Sequence, residues 1–160
     1  MTERVILEPG QPAPDFALLD QDGVTRTLSE FRGEQVILFV YPQAMTPACT
    51  KEACEFQEST APLAAAGYRV LGLSRDSVER LRRFADRDQL DYPLLSDPDT
   101  AVHVAYGAYG EKNSYGRIVE GVIRSTFIID AEGRISHALY NVKATGHVAR
   151  VLKLVGVSAG

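Results

Sequence analysis

The two cysteines of this chain stand five positions apart, in the string Cys49-Thr50-Lys51-Glu52-Ala53-Cys54. Before them runs Tyr41-Pro42-Gln43-Ala44-Met45-Thr46-Pro47-Ala48, which reads as a strand end, a loop and a helix start. Thr46 is a favoured N-cap residue. Pro47, at the first helical position, has a φ already suited to the helix and gives up no needed hydrogen bond. Cys49 then falls at the third helical position. Unpaired backbone N–H groups and the positive helix end favour a thiolate there. A thiol so placed, with a second thiol a turn and a half away, points to redox chemistry.

The spacing also constrains that chemistry. Residues five apart in an ideal helix have Cα atoms roughly 8–9 Å apart. A disulfide accepts only about 4.4–6.8 Å. The two cysteines therefore cannot bridge while both stay helical, and a bridge between them requires the first turns to unwind. Such a disulfide would form and break rather than act as a permanent staple.

The elements around the pair alternate in type. Phe16-Ala17-Leu18-Leu19 and Val24-Thr25-Arg26-Thr27 flank Asp20-Gln21-Asp22-Gly23, a hairpin signature at the N-terminal end. The run from Gln35 to Tyr41 is nearly all apolar, as in a central strand covered on both faces. Residues 68–73 and 125–129 repeat that type, and residues 129–135 form a second hairpin leading into 136–139. Cys49, Ala53, Phe56, Thr60 and Leu63 share one face of a long helix that Pro62 ends or kinks. Asp76 with Glu79 resembles a capping box ahead of Val78, Leu81, Phe84 and Ala85. Val148, Val151, Leu152 and Val155 mark a closing helix. The pattern predicts a single α/β domain over residues 1–160, a sandwich around a mixed sheet flanked by helices.

Composition narrows the partners. A length of 160 residues with 45% hydrophobic content suits one well-buried domain. A net charge of −4 provides no basic field for nucleic acid or anionic membrane. Met1-Thr2-Glu3-Arg4 and the short apolar Val5-Ile6-Leu7 do not make a signal peptide, and no run reaches membrane-spanning length. A cytoplasmic location is expected. In a reducing compartment a near pair of cysteines is more often catalytic or metal-binding than structural. His103, His137 and His147 have no ligand-like spacing with the cysteines, so no metal is expected. Two small buried side chains on a helix remain the bland alternative, and a thioredoxin-type pair would need only two intervening residues, not four.

The wider string decides among these. Pro42-x-x-x-Thr46-x-x-Cys49 is the active-site motif of the peroxiredoxins, and the stretch from Tyr41 to Phe56 closely resembles the bacterioferritin-comigratory-protein branch, also called PrxQ. Ala13-Pro14-Asp15-Phe16, Leu94-Leu95-Ser96-Asp97-Pro98-Asp99, Tyr106-Gly107 and Arg124-Ser125-Thr126-Phe127-Ile128-Ile129-Asp130 extend the likeness over almost the whole chain.

The resemblance implies a thioredoxin-like fold and reduction of hydrogen peroxide and organic hydroperoxides, with no cofactor. It makes Cys49 the peroxidatic cysteine and Cys54 the resolving cysteine of an atypical two-cysteine enzyme. Thr46, Pro42 and Arg124 complete the peroxide pocket. The chemistry suits these residue types. A thiolate attacks one peroxide oxygen while the departing oxygen gathers charge. Thr46 would orient the peroxide, and Arg124 would hold both charges with fixed N–H donors. Backbone N–H groups of Ala48 and Cys49 would aim at the same atoms, and Pro42 would supply an apolar wall. Tyr41 is expected to pack, and Glu52 to solvate the helix or pair with a base, so neither joins the catalytic set.

Two positions depart from the usual pattern. Gln43 replaces a frequent Lys, and Ala48 a frequent Gly. The implied reductant is thioredoxin or a similar dithiol, and the implied state a monomer. The competing readings are a general protein thiol–disulfide oxidoreductase and a non-catalytic thioredoxin-fold binding module with a structural disulfide.

Overall fold

The computed structural model describes residues 4–114 and 116–158, and the side chains of Asn113 and Ser114 are not among the described features. Met1–Glu3, which enter the N-terminal reading above, lie outside the described residues. In chain order come β1 (Ala17–Leu19), β2 (Thr25–Thr27), β3 (Gln35–Val40), α1 (Pro47–Glu58), α2 (Thr60–Ala65), β4 (Tyr68–Ser74) and α3 (Val78–Asp88). Then follow β5 (Leu94–Ser96), α4 (Ala101–Ala105), β6 (Tyr109–Ser114), β7 (Arg117–Val122), β8 (Ser125–Ile129), β9 (Ile135–Leu139) and α5 (His147–Val155).

The apolar run becomes β3, at the heart of a seven-stranded mixed sheet in the order β2-β1-β5-β4-β3-β8-β9. It pairs in parallel with β4, Phe39 opposite Gly72, and antiparallel with β8, Val40 opposite Ser125. The expected hairpins are present as β1–β2 and β8–β9. Alternation along β3 divides the core in two. Ile37, Phe39 and then Tyr41 face α1, α3 and α5, meeting Phe56, Phe84 and Val151. Val36, Leu38 and Val40 face Leu7, Tyr106 and Val122 on the opposite side.

The ring of Phe56 stacks on Phe39 with centroids 4.7 Å apart, which seats the C-terminal half of α1 on the sheet. Burying such a side chain contributes about 2–3 kcal/mol. Gly72 makes room for this cluster: a Cβ there would come within 3.2 Å of both Phe39 and Tyr41 and within 3.0 Å of Leu94.

Two expectations change, and one element is new. The long helix is two helices, broken at Ser59 (φ −104°, ψ 0°). Pro62 has no N–H for the Glu58 carbonyl four residues back, so the helix restarts with Pro62 in the first turn of α2, where no donor is needed. The cap of α3 is Ser77, whose hydroxyl accepts from the Arg80 N–H at 3.2 Å, and not Asp76. The β6–β7 hairpin, paired only with itself, had no forecast.

Candidate active site

The parallel strands β3 and β4 end side by side, and the turn after β3 runs directly into α1. Within it Met45 takes φ +66°, a left-handed conformation unusual for a non-glycine residue. Thr46 then returns to extended backbone and its carbonyl accepts from the Thr50 N–H at 2.8 Å, opening the helix. Its hydroxyl is not a cap. It donates instead to the Gln43 carbonyl at 2.8 Å. This corrects the capping expectation and has a consequence. With its proton committed backwards, Thr46 Oγ1 keeps its lone pairs for an incoming donor, and its side chain leaves the first-turn amides uncapped.

Cys49 is the third residue of α1, as expected, and is 1% exposed. From 75 positions further on, Arg124 brings a guanidinium to it, Nη2 donating to Sγ at 3.2 Å. Arg124 lies between β7 and β8, and its carbonyl accepts from the Val142 N–H at 3.0 Å, which anchors its backbone. Its other arm is held too: Nη1 donates to Glu52 Oε1 at 2.5 Å.

Glu52 is therefore not a solvated helix residue. It is fully buried, on the stripe Cys49, Glu52, Ala53, Phe56 that α1 turns inward. Burial pushes its carboxyl up to about 7, against the pull of Arg124. The Arg124 charge is disfavoured by burial, yet Glu52 and Cys49 outweigh this and hold its pKa above the ordinary value. The signal for Glu52 was present in the sequence, since positions 49, 52, 53 and 56 follow an i, i+3, i+4, i+7 spacing.

Ala48 occupies an exposed helical position outside the left-handed region, so its Cβ is accommodated. Pro42 is half-buried beside the turn, and the Gln43 side chain is exposed. Tyr41 packs, fully buried, against Phe39 and Phe84 with centroids 5.3 and 6.0 Å away. Cys54 is also in α1, partly buried, and both thiols are free. Burial, then Asp88 and Glu58, raise the Cys54 thiol, with Arg87 opposing them. Arg87 also reaches α1 directly, donating to Thr50 Oγ1 at 2.9 Å.

Of the histidines, His103 pairs with Asp97 at 2.6 Å and His147 with Thr126 at 2.7 Å, both inside the core. No helix among the described residues is long and apolar enough to cross a membrane.

This arrangement sets a buried sulfur against a fixed cation at the start of a helix. The family profile described as AhpC/TSA matches residues 9–138. A Mycobacterium tuberculosis protein named as a peroxiredoxin is 50% identical over 157 residues, covering 98% of this chain and all of that one. Peroxiredoxin Bcp of Escherichia coli K12 is 43% identical over 141 residues, covering 88% of this chain and 90% of the relative. The solved structure of the Xanthomonas campestris bacterioferritin comigratory protein, described for its alkyl peroxide reduction, superposes with a TM-score of 0.85. It is 33% identical over 96% of this chain and 98% of that one.

Fold and site thus define a thiol peroxidase with a thioredoxin-like architecture. The chain belongs to the AhpC/TSA family, in its Bcp/PrxQ peroxiredoxin branch.

Proposed function

We propose that the whole chain works as one domain that reduces hydrogen peroxide and organic hydroperoxides through Cys49, with Cys54 resolving the product within the same chain. The observation that carries this reading is the 3.2 Å contact of Arg124 with a buried Cys49 sulfur at the start of α1. The Cys49 thiolate attacks the nearer peroxide oxygen. An S–O bond forms as the O–O bond breaks, sulfur is oxidised to the sulfenic acid, and the leaving oxygen departs as water or alcohol after taking a proton. Arg124 stabilises charge at both ends of this exchange, Thr46 Oγ1 accepts the peroxide O–H, and the Ala48 and Cys49 N–H groups face the same space. Pro42 lines it with apolar surface.

Resolution needs the motion foreseen from the spacing. With both cysteines in α1, the first turns must unwind before Cys54 sulfur attacks Cys49 and water leaves. The disulfide so exposed is returned to two thiols by exchange with an external dithiol, for which thioredoxin is the proposed donor. A monomer suffices, because one chain supplies both thiols. A cytoplasmic setting provides the reducing partner. The burial of Cys49 also bears on the alternative of acting on protein disulfides: a peroxide reaches a sulfur that is 1% exposed, whereas a folded protein partner does not.

The test is peroxide-dependent NADPH consumption through thioredoxin reductase and thioredoxin. Cys49→Ser should abolish it, and Cys54→Ser should allow one turnover without cycling. Continued peroxide turnover by Cys49→Ser would overturn the assignment.

A further inference from the structure

We propose that Asp76 and Arg80 are positioning residues of the peroxide site, holding the turn that aims Thr46 by gripping both polar groups of Ala44. This rests on Cys49 being the sulfur that reacts with peroxide. The Ala44 N–H donates to Asp76 Oδ2 at 2.8 Å, and the Ala44 carbonyl accepts from Arg80 Nη2 at 3.0 Å. The two side chains are joined to each other, Arg80 Nε lying 3.0 Å from Asp76 Oδ1. One charged pair therefore closes on a single buried residue of the turn from donor and acceptor sides at once.

The grip is itself fixed. Ser74, fully buried at the end of β4, donates its hydroxyl to Asp76 Oδ2 at 2.8 Å, and Ser96 of β5 donates to the Asp76 carbonyl at 2.6 Å. The clamp is thus built on the ends of two core strands. It acts next to Met45, the turn residue in the left-handed conformation, and two residues before Thr46. A non-glycine residue stays in that conformation only where its surroundings over-determine it. The clamp supplies that constraint, and the Thr46 hydroxyl, bonded back to Gln43, inherits its direction from it. Neither Asp76 nor Arg80 touches the sulfur in this arrangement, so both act through the turn.

The experiment uses the full chain with Cys54→Ser, so that the Cys49 sulfenic acid persists for trapping by dimedone and detection by mass. Two rates are read: oxidation of Cys49 by hydrogen peroxide, and alkylation of Cys49 by iodoacetamide, which needs no peroxide alignment. A displacement of about 1 Å in a reacting group costs on the order of 100-fold in rate. Asp76→Ala and Arg80→Ala should each slow oxidation at least tenfold and leave alkylation within threefold. Asp76→Asn, which keeps an oxygen acceptor for Ala44 but turns an amide donor toward Arg80 Nε, should recover part of the oxidation rate. Ser77→Ala, which removes the α3 cap without touching Ala44, should leave oxidation within twofold. Unchanged oxidation in Asp76→Ala would overturn the proposal. So would alkylation that accelerates as oxidation falls, since that reports an opened structure instead of a misaimed turn. No trapping at Cys49 in the parent protein would overturn the site assignment, and this inference with it.

Discussion

Glu52 and Arg124 meet in an ion pair 2.5 Å long, with the carboxylate fully buried and the guanidinium's other arm on Cys49. The pair explains how a long, flexible side chain from outside any strand is aimed at a sulfur. Arg124 is fixed at its backbone, at one nitrogen by Glu52 and at another by the thiol.

That arrangement makes Glu52 a source of pH dependence. The folded protein holds its proton up to about pH 7, whereas an unfolded chain releases it near 4.5. Between those limits the folded state binds more protons, so the Glu52 contribution to stability is full below about pH 4.5 and is lost as pH rises through 7. A swing of up to about 3 kcal/mol corresponds to this difference. Denaturant unfolding of wild type and Glu52→Gln at pH 5 to 8 should show the wild type losing ground to the variant as pH rises. A constant difference across that range would rule the effect out.

His147 contributes in the opposite sense. Burial, then the charges of Arg150 and Arg124, push it down to about 4, while an unfolded histidine titrates at 6.5. The unfolded chain takes the proton first as pH falls, so the stability it contributes is full above 6.5 and is lost as pH falls towards 4. Between about pH 4.5 and 6.5 the two residues offset each other. Urea midpoints should therefore vary little with pH there in wild type, climb with pH in Glu52→Gln, and decline with pH in His147→Gln. The same slope in both variants would contradict the assignment.

The Arg87–Thr50 hydrogen bond ties α3 to the part of α1 between the two cysteines, and the proposed unwinding would break it. A hydrogen bond of this kind contributes about 0.5–1.5 kcal/mol. Removing it by Arg87→Ala or Thr50→Val should raise the unwound population and speed disulfide formation by roughly 3- to 10-fold, with the initial peroxide step unaffected. Rapid acid quench after a single equivalent of peroxide, with mass detection of the sulfenic acid and the disulfide, separates the two steps. Slower disulfide formation in both variants would instead place the bond in the reacting conformation.

Much of the site was legible because it is local. The cysteines, Thr46 and Pro47 lie within a few residues of one another, and the helix start follows from their types. Arg124 is 75 positions from Cys49, and only the family resemblance pointed to it. Of the two readings open for Glu52, solvating the helix or pairing with a base, the second holds, with Arg124 as the base; its burial was visible only in its place on the inward stripe. Asp76 was misread for a subtler reason. Asp76 and Ser77 are both good caps, and a one-residue offset decides which takes the helix and which is free to hold Ala44. The β6–β7 hairpin escaped notice because residues 111–114 are polar and carry no apolar alternation.

The break at Ser59 would set the reach of the proposed redox cycle. Were α1 and α2 one rod, loosening its start would tug on Leu63, which is fully buried under the sheet. As built, Phe56 on one side of the break and Leu63 on the other are separate moorings. In the proposed cycle the stretch that unwinds would lie ahead of Phe56. An enzyme working by the proposed cycle would thus open one corner of its core, around Cys49 and Ala53, while the rest stays closed.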